Sequence, residues 1–458
     1  MTLSVHEKFK RADLQISSCP DPGPSPYRPR ACNQGHPVTV PSPASQGPSS
    51  TLHHPPPPRP NTRLHVSQAI VMHAIRASSI GQILRRPRRL QTLPVIATWR
   101  ATYPRPPPTP HLGLTHKRQF QAEALYLPPL VFTGLLVALW TQKCIAMVVF
   151  QNKIIYMPGL PPNARRERIQ DYAKQCWGVR WEEKRVQAAD GTDLALCVAS
   201  ATSTGDKKTT SHGDAPSVPS IYILYFQGNA SSIPPRLPDL SWVLRTLQQS
   251  KRPARYTMVC LSYRGYWTSR GRPSEKGINL DAQAALHWIG RVHGEHDAHG
   301  HQPLPEVILW GQSIGAGVAT NLAAWEAFPS TARLRSLILE TPFTSIKDML
   351  ATLYPQKWVP YRHLWPFLRN HLDSWANLAA IARNWSGERE KPRVTIVEAG
   401  RDELVPAEHG AMLVQRCEEV RLPIEKKTVR GAFHNDAVIR LEGRRAVVDA
   451  IEQVAAEI

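Results

Sequence analysis

The first 120 of the 458 residues are nearly without acid. They hold 16 Lys and Arg against Glu7, Asp13 and Asp21, a balance of +13 in a chain of net charge +20. The remaining 338 residues therefore contribute only +7. A nucleic-acid binder needs its basic residues clustered on a folded element; here most of the excess lies in a tail, and no nucleic-acid partner is expected. The tail also lacks apolar periodicity. It carries 21 of the 43 prolines, in runs such as "HHPPPPRP". Such text cannot bury enough apolar surface to offset its chain entropy, so residues 1–120 read as a disordered basic arm. Cysteine is scarce in pairs as well. Cys19, Cys32, Cys144, Cys176, Cys197, Cys260 and Cys417 contain no C-x-x-C, and seven is an odd number, which excludes a complete disulfide framework. Cys197 and Cys260 sit in apolar runs, where cysteine acts as a small hydrophobe.

Two stretches of the arm stand out. Arg85–Arg89, "RRPRR", reads as a solvated charge run before it reads as an address or a phospholipid contact. Leu64–Leu93 is acid-free, with Arg and Ser among Ile, Val and Leu, a transit-peptide composition placed well inside the chain. Translation from Met72 is an open alternative.

The longest apolar run comes after the arm, at residues 125–150, "LYLPPLVFTGLLVALWTQKCIAMVVF". At about 1.5 Å per residue a helix of this length crosses a bilayer core. Its one charge, Lys143, is near enough to an end to snorkel. A single-pass membrane helix is expected, in the endoplasmic reticulum or another endomembrane. The basic residues on the two sides leave its orientation open.

From residue 160 to 458 short apolar strands alternate with helical patterns. Leu194–Ala199, Ser220–Phe226, Tyr256–Tyr263, Glu306–Trp310, Ser336–Glu340 and Arg393–Ala399 read as strands; Asn279–Val292 and Gly315–Phe328 read as helices. This alternation predicts an α/β fold: a mostly parallel sheet covered on both faces. Functional residues of such sheets gather at the carboxyl ends of the strands.

At one such end stands "GQSIG". Ser313 lies between strand and helix, fenced by Gly311 and Gly315, where a nucleophile on a sharp turn needs small neighbours. The Ile314 N–H would face a developing oxyanion. A serine nucleophile needs a base, and the base an orienting acid, in the order Ser, acid, His. Asp402 follows the strand "RVTIVEA", and His434 follows in "TVRGAFHND". Glu403 and Glu340 are alternative acids. His409 is the other histidine beyond the acid, expected on the surface of the helix that begins near Pro406. A second oxyanion donor is expected from "YFQGNASS", with Gly228 allowing close approach and Asn229 supplying its N–H. Gln312 and Arg264 are assigned to pocket or support, although a loop pinned by an Arg–carboxylate pair is the stronger reading of Arg264. Ser274 caps the helix after it. Residues 343–390 are rich in Trp and Tyr and are expected to form a cap that packs on itself, lines an acyl tunnel or meets a membrane interface. No metal or cofactor is called for.

The stretches "YFQGNASS", "SYRGYWTSRGRPSEKGINLDA", "ILWGQSIGAGVATNL", "LILETPFTSI", "GRDELVP" and "FHND" together resemble the membrane-anchored α/β-hydrolases. This group includes the α/β-hydrolase-domain-containing proteins 12, 13 and 17 and the fungal bud-emergence-46 proteins. The resemblance covers about residues 125–455. It implies a serine hydrolase with Ser313 as nucleophile, Asp402 as acid and His434 as base, acting on carboxylic esters such as monoacylglycerols or lysophospholipids. The 17 type implies protein-palmitate thioesters instead. Other readings are a non-catalytic binding module and a peptidase. Two positions depart from the group's pattern: Gln227 stands in place of a usual histidine, and Trp267 in place of a usual glycine. Asn384-Trp385-Ser386 forms an N-glycosylation pattern that would be usable only if the domain is lumenal.

Overall fold

In the computed structural model, residues 116–203, 218–296, 303–386 and 390–458 are described. The expected disordered arm lies outside them up to residue 115, as do the Leu64–Leu93 stretch and the Arg85–Arg89 run. In chain order the main elements are α1 (His116–Val149), α2 (Gln151–Tyr156), α3 (Ile169–Tyr172), β1 (Glu182–Gln187), β2 (Asp193–Thr202), β3 (Ser220–Phe226) and α4 (Leu237–Gln248). Next come β4 (Arg255–Ser262), α5 (Glu275–His296), β5 (Glu306–Gln312), α6 (Ile314–Ala323), β6 (Arg333–Glu340), α7 (Ile346–Leu353) and α8 (Ser374–Asn384). The last are β7 (Arg393–Ala399), α9 (Ala407–Glu419), β8 (Ile424–Val429) and α10 (Leu441–Glu457).

The strands form one sheet in the order β1-β2-β4-β3-β5-β6-β7-β8. β2 runs antiparallel to β1 and β4; the pairs from β4–β3 to β7–β8 are parallel. Period-two alternation divides the core in two. Tyr222, Leu224 and Phe226 of β3 point to one face with Val307 and Leu309 of β5, under α5, α6, α8 and α9. Ile221, Ile223 and Tyr225 point to the other with Ile308 and Trp310, under α4 and α10. This is the α/β-hydrolase fold, with the ends of β5, β6 and β7 opening on the same side.

The six expected strands are present, and two more stand at the edges. β1, "EEKRVQ", and β8, "IEKKTV", each bury a single residue. Charged edge strands blunt sheet-to-sheet association, and the same charges hide them from a search for apolar runs. α6 ends at Ala323, five residues before the expected Phe328. Asn384 Nδ2 and Trp385 Nε1 take the carbonyls of Ala324 and Ala323 at 2.9 and 3.0 Å, which satisfies the helix end there. The amide of the glycosylation pattern is thus part of a helix cap.

The expected cap at 343–390 divides into two parts. α8 buries Leu378 and Ile381 in the core with Leu413 of α9, and so covers the sheet. The 3-10 turn Pro360–His363 lies instead beside α1, and α7 packs on that turn. α1 is continuous from His116, inside the segment expected as arm, and its stretch Leu125–Val149 is long and apolar enough to cross a membrane. No residue of that stretch is buried.

Candidate active site

β5 is buried along its whole length and delivers Gly311, Gln312 and Ser313 to the strand end. Ser313 has φ 53° and ψ −116°, a strained conformation for a residue with a Cβ. Two bonds hold it: its N–H donates to Glu340 O at 2.8 Å, and its carbonyl accepts from Ala316 N–H at 2.9 Å. The glycines are required for space. A Cβ on Gly311 would lie 2.2 Å from Gly315 O, and one on Gly315 would lie 2.2 Å from Phe226 O. Backbone thus meets backbone across β3, β5 and α6.

β7 and β8 are neighbours, which brings the two later residues together. The Gly400 and Arg401 N–H groups donate to Val429 O at 2.9 Å and Ala432 O at 2.8 Å, tying the acid loop to the histidine loop. Across this seam Asp402 Oδ2 and Oδ1 lie 2.8 and 3.0 Å from His434 Nδ1, with both side chains nearly buried. The Leu404 and Val405 N–H groups donate to Asp402 Oδ1 at 2.9 and 2.8 Å and fix its plane. Glu403 has a different place: it accepts the His434 backbone N–H at 3.0 Å. Glu340 is fully buried and accepts from Arg236 Nη2 at 2.8 Å. Burial pushes its carboxyl up, and the Arg236 guanidinium opposes that shift.

Ser313 Oγ and His434 Nε2 make no hydrogen bond among the described residues. The same holds for two backbone donors. No described acceptor takes the N–H of Ile314 or that of Asn229, whereas the next residues in the β3 loop are tied: Ala230 N–H to Tyr156 O at 2.9 Å, and Ser231 N–H to Leu160 O. Gly228 lies against the serine turn, but a Cβ there would meet Gln312 Oε1 at an ordinary 3.5 Å, so the approach does not require glycine. That oxygen accepts from Tyr225 OH at 3.3 Å, so Gln312 supports the turn.

Arg264 takes the second of its two readings and pins a loop. Its Nε and backbone N–H bind Asp281 at 2.9 and 2.8 Å and its Nη1 binds Asp190 at 2.7 Å, clamping the loop after β4. Burial lifts the Asp281 carboxyl to about 6 against the pull of Arg264, while the Arg264 hydrogen bond holds Asp190 down at about 2. His409 is buried, not exposed: its ring lies between Thr344 Oγ1 at 2.9 Å and Thr352 Oγ1 at 3.1 Å, and burial lowers its pKa. Trp267 has φ 39°, the left-handed region a glycine enters without strain. Its burial and an Nε1 bond to Glu167 O at 2.7 Å offset that cost. Gln227, the other departure, is buried. Tyr263 OH holds its carbonyl at 2.8 Å, and its side-chain amide has no partner among the described residues.

Tyr156 escapes a reading of the sequence. It ends α2, just beyond the apolar helix, and its carbonyl holds Ala230 beside Asn229. No motif marks a residue that acts through its backbone.

No family model matches the chain. The protein bem46 of Schizosaccharomyces pombe is 28% identical over 206 residues, which are 45% of this chain and 58% of that protein. The alpha/beta hydrolase domain-containing protein WAV2 of Arabidopsis thaliana is 29% identical over 279 residues, 59% of this chain and 77% of its own. The lysophosphatidylserine lipase ABHD12 of Danio rerio is 35% identical over 192 residues, 42% of this chain and 46% of its own. The chain is thus similar to the α/β-hydrolase-domain proteins that its motifs resemble.

Proposed function

We propose that the chain is a membrane-anchored serine hydrolase that cleaves carboxylic esters of lipids through an acyl-enzyme on Ser313. The observation that carries this reading is the Asp402 carboxylate on His434 Nδ1, with Ser313 on the strained turn after β5, at the same edge of the sheet and separated from β7 by β6. With Nδ1 so engaged, Nε2 is the basic nitrogen. It takes the Ser313 proton as Oγ adds to the ester carbonyl. Asp402 holds the tautomer and stabilises the imidazolium. The N–H groups of Ile314 and Asn229 receive the oxyanion. The imidazolium then returns the proton to the leaving alcohol, and water repeats the sequence on the acyl group.

The relatives named as lysophosphatidylserine lipases, and the apolar helix beside the domain, support a lysophospholipid or monoacylglycerol as substrate class. A fluorophosphonate probe tests the nucleophile. Labelling is expected on the wild type and absent from Ser313→Ala at equal expression. Persistent labelling of the variant overturns the assignment. A screen of lysophospholipids, monoacylglycerols and protein thioesters, wild type against Ser313→Ala, then identifies the acyl donor.

A further inference from the structure

We propose that the cap segment Tyr354–Phe367 is immersed in the phospholipid bilayer alongside α1, so that the catalytic domain is seated in the leaflet and not merely tethered to it. This rests on the reading of α1 as a membrane span.

The contacts set the depth. Leu125–Val149 has 25 residues, about 37 Å of helix, against a hydrocarbon core about 30 Å thick. Trp140 lies nine residues, about 13 Å, before Val149, and so falls inside that core. Its indole meets Trp358 of the cap, with ring centroids 5.7 Å apart. One turn further on, Lys143 Nζ stands 4.2 Å from the Tyr361 ring and 5.6 Å from the Tyr354 ring. The cap thereby shields the single charge of the span by a cation–π contact. The joint then closes at the helix end. Arg369 Nη2 donates to Val148 O at 2.9 Å, and Gln151 Nε2 donates to Phe367 O at 3.1 Å. Where Trp140 goes, the cap goes too.

The outer surface of the cap suits that depth. Trp358 is 70% exposed, Phe367 59% and Trp365 49%, an unusual display for side chains that could pack inward. Between Asp348 and Asp373 the sequence has Lys357, Arg362 and Arg369 and no acid. Exposed aromatic residues interleaved with basic ones match an interface of acyl chains and anionic headgroups. A protein partner would not account for the contact to Trp140 within the span.

The test uses the full-length protein in vesicles of phosphatidylcholine and phosphatidylserine that include a phosphatidylcholine bearing an acyl-chain diazirine. After photolysis, lipid adducts are mapped by peptide mass spectrometry. Adducts are expected on the peptides holding Trp358 and Trp365–Phe367 as well as on α1. Adducts on α1 with none on the cap overturn the inference and leave the face to a protein partner. A second arm uses the variant Trp358→Ser/Trp365→Ser/Phe367→Ser. Its rate on a vesicle-embedded ester is expected to fall about tenfold or more, with its rate on a soluble short-chain ester unchanged. Equal retention of both rates overturns the inference. Photolabelling does not require turnover, so cap adducts on a protein inert to fluorophosphonate would sink the hydrolase reading alone.

Discussion

The Ser313 turn and the aromatic cap are both irregular connections at the carboxyl ends of neighbouring strands, and they obey opposite constraints. In the turn, Gly311 and Gly315 leave no room for a single methyl group, because carbonyl oxygens stand 2.2 Å from where it would be. In the cap, Trp358 and Phe367 are more than half exposed. The turn is shaped by excluded volume within the protein, so its residue types are set by the fold. On the proposed seating, the cap is shaped by what lies outside the chain, and its exposed aromatic residues are explained by the medium around α1. The proposed catalytic geometry and the proposed membrane geometry would thus be set by different physics. They are joined by a short bridge, in which the Tyr156 carbonyl, seven residues after Val149, holds the loop of Asn229.

If the site depends on fixed positions, the largest effect belongs to the orienting acid. Asp402→Asn keeps an oxygen for the Leu404 and Val405 N–H groups but presents the wrong partner to His434 Nδ1. Its kcat on an ester is expected to drop on the order of 10³–10⁴-fold with little change in stability. Retention of most of the activity would remove Asp402 from the site. Glycine at 311 comes next. Gly311→Ala is expected to cost about 3 kcal/mol of stability in chemical denaturation, because both obstructing groups are backbone. Gly228→Ala, whose Cβ would meet Gln312 Oε1 at an ordinary 3.5 Å, is the matched control and is expected to cost about 1 kcal/mol or less. Equal costs at the two positions would remove the excluded-volume argument.

The Arg264 clamp supplies a smaller effect, read through pH. Burial raises Asp281 to about 6 in the folded protein, above its ordinary 3.8, so the folded state binds this proton more tightly than the unfolded chain. Its contribution to stability is therefore full below the ordinary value and is lost as pH rises through about 6. The difference in melting temperature between wild type and Asp281→Asn should move against the wild type as pH rises from 5 to 7. A pH-independent difference would show that Arg264 keeps Asp281 ionised throughout.

Legibility in the sequence divides along the same line. Ser220–Phe226 and Arg393–Ala399 are legible to the residue because central strands of a parallel sheet are apolar on both faces. Ser313, Asp402 and His434 are proposed as a set from chain order and strand ends; of the three, the structure pairs Asp402 with His434. β1 and β8 are not legible, since edge strands face water. His409 is misplaced by sequence because a polar residue near a helix start reads as exposed, and the threonines that bury it come from α7 and the loop before it. Arg264 carries two readings, and only the positions of Asp190 and Asp281, 74 and 17 residues away, decide between them. The cap can be located but not bounded, because Leu378 and Ile381 keep the same helical period whether they cover a sheet or a ligand.

The smallest expected effect bears on the outer face of the cap. Phe367 gives its carbonyl to Gln151 but leaves its ring 59% exposed, so Phe367→Ser removes surface that the fold does not bury. In detergent its stability should stay within about 0.5 kcal/mol of wild type, as for other exposed substitutions. Trp385, 5% exposed and packed edge-on against Phe328 at 5.2 Å, supplies the opposite case. Trp385→Ala should cost about 3–5 kcal/mol by the same measurement. A cost at Phe367 approaching that at Trp385 would mean that the cap aromatics hold the domain together, and their exposure would then have nothing to do with lipid.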